Sequence, residues 1–343
     1  MINEYAKKLL ISVASTIIAL AMTGAAVAQP LACKGQGDAM ELPYDSAVPA
    51  GYDHDRFDTE PKSLMFRYGP FASSYETAAD DRADSPYRGV PKWVAYEMHA
   101  LLGPGGRPIH PQGAKRPGKW YELRETAFLW ADKPEVSRHG IDPSYRGFAA
   151  VWNRGHMAAR AHANRISWQE GCNTHVFVNA LPQYADMNQG DWLALENYAI
   201  AAANKYGKVW TIAGPVFEPG REIDFIGAPG TVPVAIPHAL FKILAIEVGG
   251  RVEARAFLFP QADEDQRGLY RKCAGTPQAS YDLSAYATTV SALEVATGLR
   301  FFQKLAPAER RALDVRSGAG PWPVETRFYD DRCGGRGGGG EDG

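Results

Sequence analysis

The sequence predicts an α+β fold built on a mainly antiparallel sheet flanked by helices. Three observations carry that expectation. Residues 240–248 and 252–259 are two strand-like runs separated only by Gly249-Gly250, a hairpin signature. Helical periodicity is sparse. Its one long segment, from Asp191 to Tyr206, sets Trp192, Leu195, Tyr198 and Ala199 on one face before Gly207 stops it. Between residues 153 and 206 the pattern gives a compact ββα unit whose polar residues converge on one cleft.

The elements follow in chain order. Residues 1–28 read as a signal peptide. Lys7 and Lys8 open it, residues 9–28 carry no charge, and Ala26-Val27-Ala28 precedes Gln29 as a small-x-small cleavage pattern. An uncleaved membrane anchor is the competing reading, since about 20 apolar residues can span a bilayer. Cleavage leaves a soluble chain, secreted or periplasmic, without stable membrane association. Leu31-Ala32-Cys33 faintly resembles a lipid-attachment site, but Pro30 stands where leucine is wanted.

Residues 29–60 form an extended arm, 61–333 one domain, and 334–343 a glycine-rich tail too poor in apolar residues to order itself. Strands are expected at 92–98 and at 208–213, ended by Gly214-Pro215, while residues 174–180, alternating around Val176 and Val178, are expected as a strand or turn. Two later helices are expected at 286–297 and 307–313. Residues 153–156 are expected in a loop leading toward a strand. Asn188 precedes the long helix, and Glu196 sits in its second turn.

Charge narrows the function classes. Removing Glu4, Lys7 and Lys8 with residues 1–28 leaves 35 basic and 38 acidic residues. A protein held on nucleic acid by net charge alone is therefore excluded. Phosphate binding has to rest on a local groove, a metal ion, or both. Four cysteines, Cys33, Cys172, Cys273 and Cys333, follow the cleavage point. An even count in an exported chain suggests two disulfides, with three pairings open. No Cys-x-x-Cys spacing exists, which argues against a thiolate zinc site.

The chemistry-bearing residues lie in Asn153-Arg154-Gly155-His156, Asn179-Ala180-Leu181-Pro182-Gln183, Asn188-Gln189-Gly190-Asp191-Trp192 and Leu195-Glu196. A neutral imidazole such as that of His156 takes a proton from water near neutral pH. Asn188 offers the hard, neutral oxygen that suits Mg²⁺, and Glu196 can orient metal-bound water. Arg154 offers a guanidinium to a phosphate. Singly, each has a plainer role: a structural histidine, turn-forming asparagines, a solvated helix glutamate. Trp192 and Leu195 read as core.

With Ala213-Gly214-Pro215, these motifs resemble the signature of the DNA/RNA non-specific endonucleases, the ββα-metal or His-Me finger nucleases. Pro91 to Tyr96, Phe241-Lys242, Phe259-Pro260 and Thr297-Gly298-Leu299 extend the likeness over roughly residues 65–305. The resemblance implies a ββα-metal nuclease fold and hydrolysis of DNA and RNA to products with 5′-phosphates. It makes His156 the general base, Asn188 the direct metal ligand and Glu196 the holder of metal-bound waters. Asn179 and Arg154 become site residues near the scissile phosphate. Mg²⁺ is the implied cofactor, with Mn²⁺ a substitute, and a homodimer is compatible.

Two departures stand out. Asn153 replaces the signature's aspartate, keeping its shape but losing its charge. Ala72 stands three residues before Tyr75, where the family often has arginine, with Arg67, Arg82 and Arg88 as nearby replacements. These departures leave two alternatives: a catalytically weakened nucleic-acid-binding protein, or a phosphodiesterase of small nucleotides.

Overall fold

The computed structural model describes residues 31–34, 44–76, 86–118, 120–122, 141–261 and 281–329. The proposed signal peptide, Arg82, Cys273, Cys333 and the glycine-rich tail lie outside the described residues. Among the described residues, no helix is long and apolar enough to cross a membrane.

The scaffold is a seven-stranded sheet. In spatial order it runs β1 (Leu64–Arg67), β2 (Ala72–Tyr75), β3 (Trp93–His99), β6 (Lys208–Val216), β9 (Ala239–Val248), β10 (Arg251–Pro260) and β11 (Ala287–Thr288). Every pairing is antiparallel. Alternate residues of each strand face opposite sides, so each central strand serves two cores. Trp93, Ala95, Trp210, Ile212, Phe241 and Ile243 face one side, where the helices Val290–Thr297 and Pro307–Ser317 bury Val290, Leu293 and Leu313. Val94, Tyr96, Leu240, Leu244 and Phe257 face the other side, with Trp192 and Leu195 of the helix Asp191–Tyr206.

The β9–β10 hairpin turns at Gly249 and Gly250, with φ of 58° and 73°. Two consecutive positive φ values are what a tight two-residue hairpin turn demands. β6 does not stop at Gly214-Pro215, as the sequence suggested, but runs on to Val216. Glycine permits this. A Cβ at Gly214 would lie 2.8 Å from the Lys92 carbonyl oxygen and 2.9 Å from the Phe241 ring.

The long helix has the expected bounds and ends at Gly207, φ 89°, whose N–H reaches the Ala203 carbonyl. It is buried on more than the one expected face, because fourteen residues, 191–204, are covered. The chain's later residues seal its outer side. The Tyr198 hydroxyl donates to the Trp322 carbonyl and the Asn204 amide to that of Phe328. The next helix starts at Val290 rather than near 286. Residues 287–288 are drawn into the sheet as β11, and Thr289 caps the helix, its hydroxyl accepting from the Ala292 N–H. The last helix runs one turn past Leu313, to Ser317.

Among the described residues, two small two-stranded sheets stand apart from the main sheet. One pairs β7 (Phe225–Ile226) with β8 (Val234–Ala235). The other carries the motif residues and corrects one local expectation. Residues 153–156 are not loop but strand β4 (Trp152–His156), paired antiparallel with β5 (Ala180–Tyr184). Residues 174–179 take the turn of the two readings open to them. They follow the helix Trp168–Asn173 and end in the 3₁₀ segment Phe177–Asn179. Side chains decide this. Thr174 Oγ1 donates to the Gly171 carbonyl and Asn179 Nδ2 to the Thr174 carbonyl, closing a turn that a strand would open. The Ser73 hydroxyl of β2 donates to the Val178 carbonyl at 2.6 Å and ties the small unit to the main sheet.

The Cys33–Cys172 disulfide joins the arm to the helix Trp168–Asn173. It is the one pairing among the described cysteines. The arm also docks through His54. Its Nδ1 accepts the Glu97 N–H at 3.0 Å, so Nε2 carries the proton and donates to the Gly69 carbonyl at 2.8 Å.

Candidate active site

His156 ends β4 opposite Ala180 and is 3 % exposed. Its ring packs against Trp120, with centroids 4.4 Å apart, and edge-on against His175, 4.8 Å away with planes at 90°. Gly155 lets β4 approach β5 this closely, since a methyl group there would overlap the Gln183 side chain. Asn179 then clamps the chain just after the histidine. Its backbone carbonyl accepts the Met157 N–H, and its Oδ1 accepts the Ala158 N–H at 2.8 Å. Its Nδ2 donates to the carbonyls of Ala158 and Thr174, both at 3.0 Å. The Asn179 amide, wholly buried, thus has its oxygen and both protons engaged by backbone. Its visible work is holding the strand end on which His156 sits.

Asn153 explains how Asn188 is aimed. Asn153 Nδ2 donates to the Ala149 carbonyl at 3.1 Å, which fixes Oδ1 as the acceptor end. That oxygen accepts Asn188 Nδ2 at 3.1 Å and Gln189 Nε2 at 3.0 Å. The orientation of each amide follows from this chain of donors and acceptors. Asn188 Oδ1 remains, and it accepts no hydrogen bond among the described residues.

Glu196 sits in the second turn of the helix Asp191–Tyr206, eight residues past Asn188. Lys242 of β9, itself fully buried, donates to Glu196 Oε1 at 3.1 Å and lies 4.0 Å from the Trp192 ring centroid. His162 holds the helix backbone here, its Nε2 donating to the Glu196 carbonyl at 3.0 Å while Nδ1 accepts from the Tyr96 hydroxyl. A buried charge requires such a partner, and Lys242 keeps the second buried charge from standing alone.

Arg154 turns aside. Its Nη2 lies 3.1 Å from Asp142 Oδ1, and its guanidinium lies over the Tyr145 ring at 5.2 Å. Asp142 also accepts the Trp120 N–H, linking the arginine to the ring beside His156. Glu122 Oε1 accepts the N–H groups of Ile141 and Asp142, and burial pushes its carboxyl up to about 7. Of the replacement arginines, Arg67 pairs directly with Ala72 in the β1–β2 register. Both line a small cleft of about 160 Å³ with Tyr52 and His54, on the strand face opposite Ser73. Arg88 is buried, its carbonyl accepting the Ala235 N–H. Neither stands beside His156 in these contacts.

The donor set selects among metals. Among the described residues, no group of three His, Cys, Asp or Glu could hold an ion. What the site offers is one amide oxygen, Asn188 Oδ1, and the carboxylate of Glu196 on the helix that follows. That set fits Mg²⁺, which keeps several of its own waters and needs only one or two protein oxygens.

Residues 70–308 match the family model described as DNA/RNA non-specific endonuclease. The chain belongs to that family. It is 29 % identical over 227 residues to the mitochondrial nuclease EXOG of Danio rerio, covering 63 % of this chain and 57 % of that protein. It is 30 % identical over 173 residues to a nuclease of Serratia marcescens, covering 49 % and 58 %. The chain thus spans little more than half the length of these two relatives. The fold of this endonuclease family is seen again in the EndoG/EndoGI complex, with a TM-score of 0.53 at 18 % identity, covering 74 % of this chain and 92 % of that one.

Several site residues of this family member escaped sequence reasoning. Trp120, Asp142 and His175 lie outside the signature. Lys242 lies inside a quoted motif, but no role attached to it. Two signals were present: a lysine in the apolar run 239–246, and a histidine beside Val176, Phe177 and Val178. Fully buried lysine is rare without a partner.

Proposed function

We propose that this chain is an exported, metal-dependent endonuclease that hydrolyses phosphodiester bonds of DNA and RNA with little sequence specificity. The observation that carries it is the Oδ1 of Asn188, uncommitted among the described residues and aimed by Asn153, in the same ββα unit as the ring-packed His156. His156 is the general base and takes a proton from the attacking water. Arg154, released from Asp142 or shared with it, gives N–H donors to the phosphate. Asn188 Oδ1 and, through water, Glu196 hold Mg²⁺ or Mn²⁺. When bound, the ion relieves charge on the phosphoryl oxygens and the leaving oxygen. Family membership and relatives named as nucleases support this chemistry. The closed hydrogen bonding of Asn153 supports turnover rather than binding alone. Export is supported by the pattern of residues 1–28 and by the Cys33–Cys172 disulfide.

The test is cleavage of supercoiled plasmid and of single-stranded RNA, with a small bis-phosphodiester as comparison. The expected outcome is loss of both polymers with Mg²⁺ and protection by EDTA. Cleavage that persists undiminished in EDTA, or that is confined to the small diester, refutes it.

A further inference from the structure

His175 belongs to none of the signature motifs, yet it forms a wall of the His156 pocket. Its ring lies 4.8 Å from that of His156 and 5.2 Å from that of Trp120, and the residue is 1 % exposed. Nδ1 lies 3.3 Å from the Cys172 carbonyl oxygen, which can only accept, so Nδ1 carries the ring proton. Nε2 is then a bare lone pair, fully buried and without a hydrogen-bond partner among the described residues. An unpaired buried acceptor is costly, so one in a ring packed on that of His156 calls for a reason.

The backbone fixes this ring firmly. The His175 N–H donates to the Cys172 carbonyl at 3.1 Å, and its own carbonyl accepts the Tyr121 N–H at 2.8 Å. The same contact delivers Trp120, so the two walls are set by one bridge between Tyr121 and Val176. Cys172 is itself anchored by the disulfide to Cys33.

We propose that His175 is a positioning residue for the general base: with Trp120 it fixes the His156 ring, and its unprotonated Nε2 favours the imidazolium formed when His156 takes a proton from water. The proposal rests on the nuclease assignment above and on this geometry. Charge agrees with it. Burial holds the His175 pKa well below the usual histidine value, followed by His156 from β4, Arg160 from the helix Arg160–Ala163 and Arg116 from the loop before Trp120, while the Cys172 carbonyl opposes them. Two adjacent imidazoles do not both ionise readily, so the proton abstracted from water stays on His156.

Two variants and one spectrum test it. His175→Phe keeps the ring and removes the lone pair, and His175→Gln restores an acceptor. The expected result for His175→Phe is a kcat lower by about tenfold or more with KM little changed. The acid limb of its pH profile moves to lower pH, because the imidazolium form of the base has lost that acceptor. His175→Gln recovers part of both effects. A folded His175→Phe protein with wild-type kcat and an unmoved acid limb overturns the proposal. Should His175→Phe fail to fold, ¹⁵N NMR of the wild type decides. His175 is expected to stay neutral in the Nδ1–H form across the pH range of activity. An Nε2–H tautomer, or protonation of His175 within that range, overturns it. A wild type that cleaves no phosphodiester sinks the nuclease assignment instead, and the kinetic arms separate the two failures.

Discussion

Around His156 the protein relies on rings and backbone, whereas around Asn188 and Glu196 it relies on paired polar side chains. Trp120 and His175 pack the proposed base, and Asn179 holds the chain beyond it through main-chain groups. Asn188 and Glu196 are instead held by polar side chains, Asn153 and Lys242 among them. On the proposed mechanism the two halves are vulnerable in different ways. The base half would fail when a ring or its tautomer changes. The metal half would fail when a donor or a charge is lost, because a buried polar atom without its partner is costly.

The sharpest break comes at the base. His156→Ala is expected to lower kcat on plasmid DNA by about 10²–10⁴-fold, the usual contribution of a general base, and to leave Mn²⁺ binding unchanged. Next is Lys242→Met, which takes a buried cationic partner away from the Glu196 carboxylate. Stability measured by denaturant titration should fall by about 3–5 kcal/mol, and the Mg²⁺ concentration for half-maximal activity should rise.

Asn153→Asp is a smaller and more pointed test. It restores the family's residue but sets a carboxylate oxygen against the Ala149 carbonyl, where Asn153 now donates at 3.1 Å. The expected outcome is a loss of about 1–3 kcal/mol in stability and no gain in activity. A gain in kcat would show that charge matters more at this position than the amide network.

The smallest effect lies outside both halves and serves as their control. Burial lowers the His54 pKa in the folded protein from the usual 6.5. Both of its ring nitrogens are already committed, so protonation breaks the Glu97 contact. Its stabilisation is complete above about pH 6.5 and is lost as pH falls through the folded value. The melting temperature should therefore drop on acidification, less steeply in His54→Gln, with kcat at neutral pH unaffected.

The same contrast explains what the sequence made legible. The Gly249-Gly250 hairpin, the bounds of Asp191–Tyr206 and the four motifs were readable because each rests on local chemistry: a turn, a stop signal, a spacing. β4 was not readable as a strand. Asn, Arg and Gly have low strand preference, and only pairing with β5 makes residues 152–156 extended. Residues 174–179 were legible only as a strand or turn. Val176 and Val178 alternate, and it is the Thr174 and Asn179 side chains that close the backbone into the turn. Partners brought from distant segments, such as Lys242 for Glu196 and Trp120 for His156, have no local signature.

On the proposed mechanism, proton transfer at His156 and metal holding at Asn188 are separable. Mn²⁺ binding, followed by water-proton relaxation, tests this most directly on the wild type, His156→Ala and Asn188→Ala. The expected result is wild-type affinity in His156→Ala and greatly weakened binding in Asn188→Ala. Equal affinity in Asn188→Ala and the wild type would contradict the account.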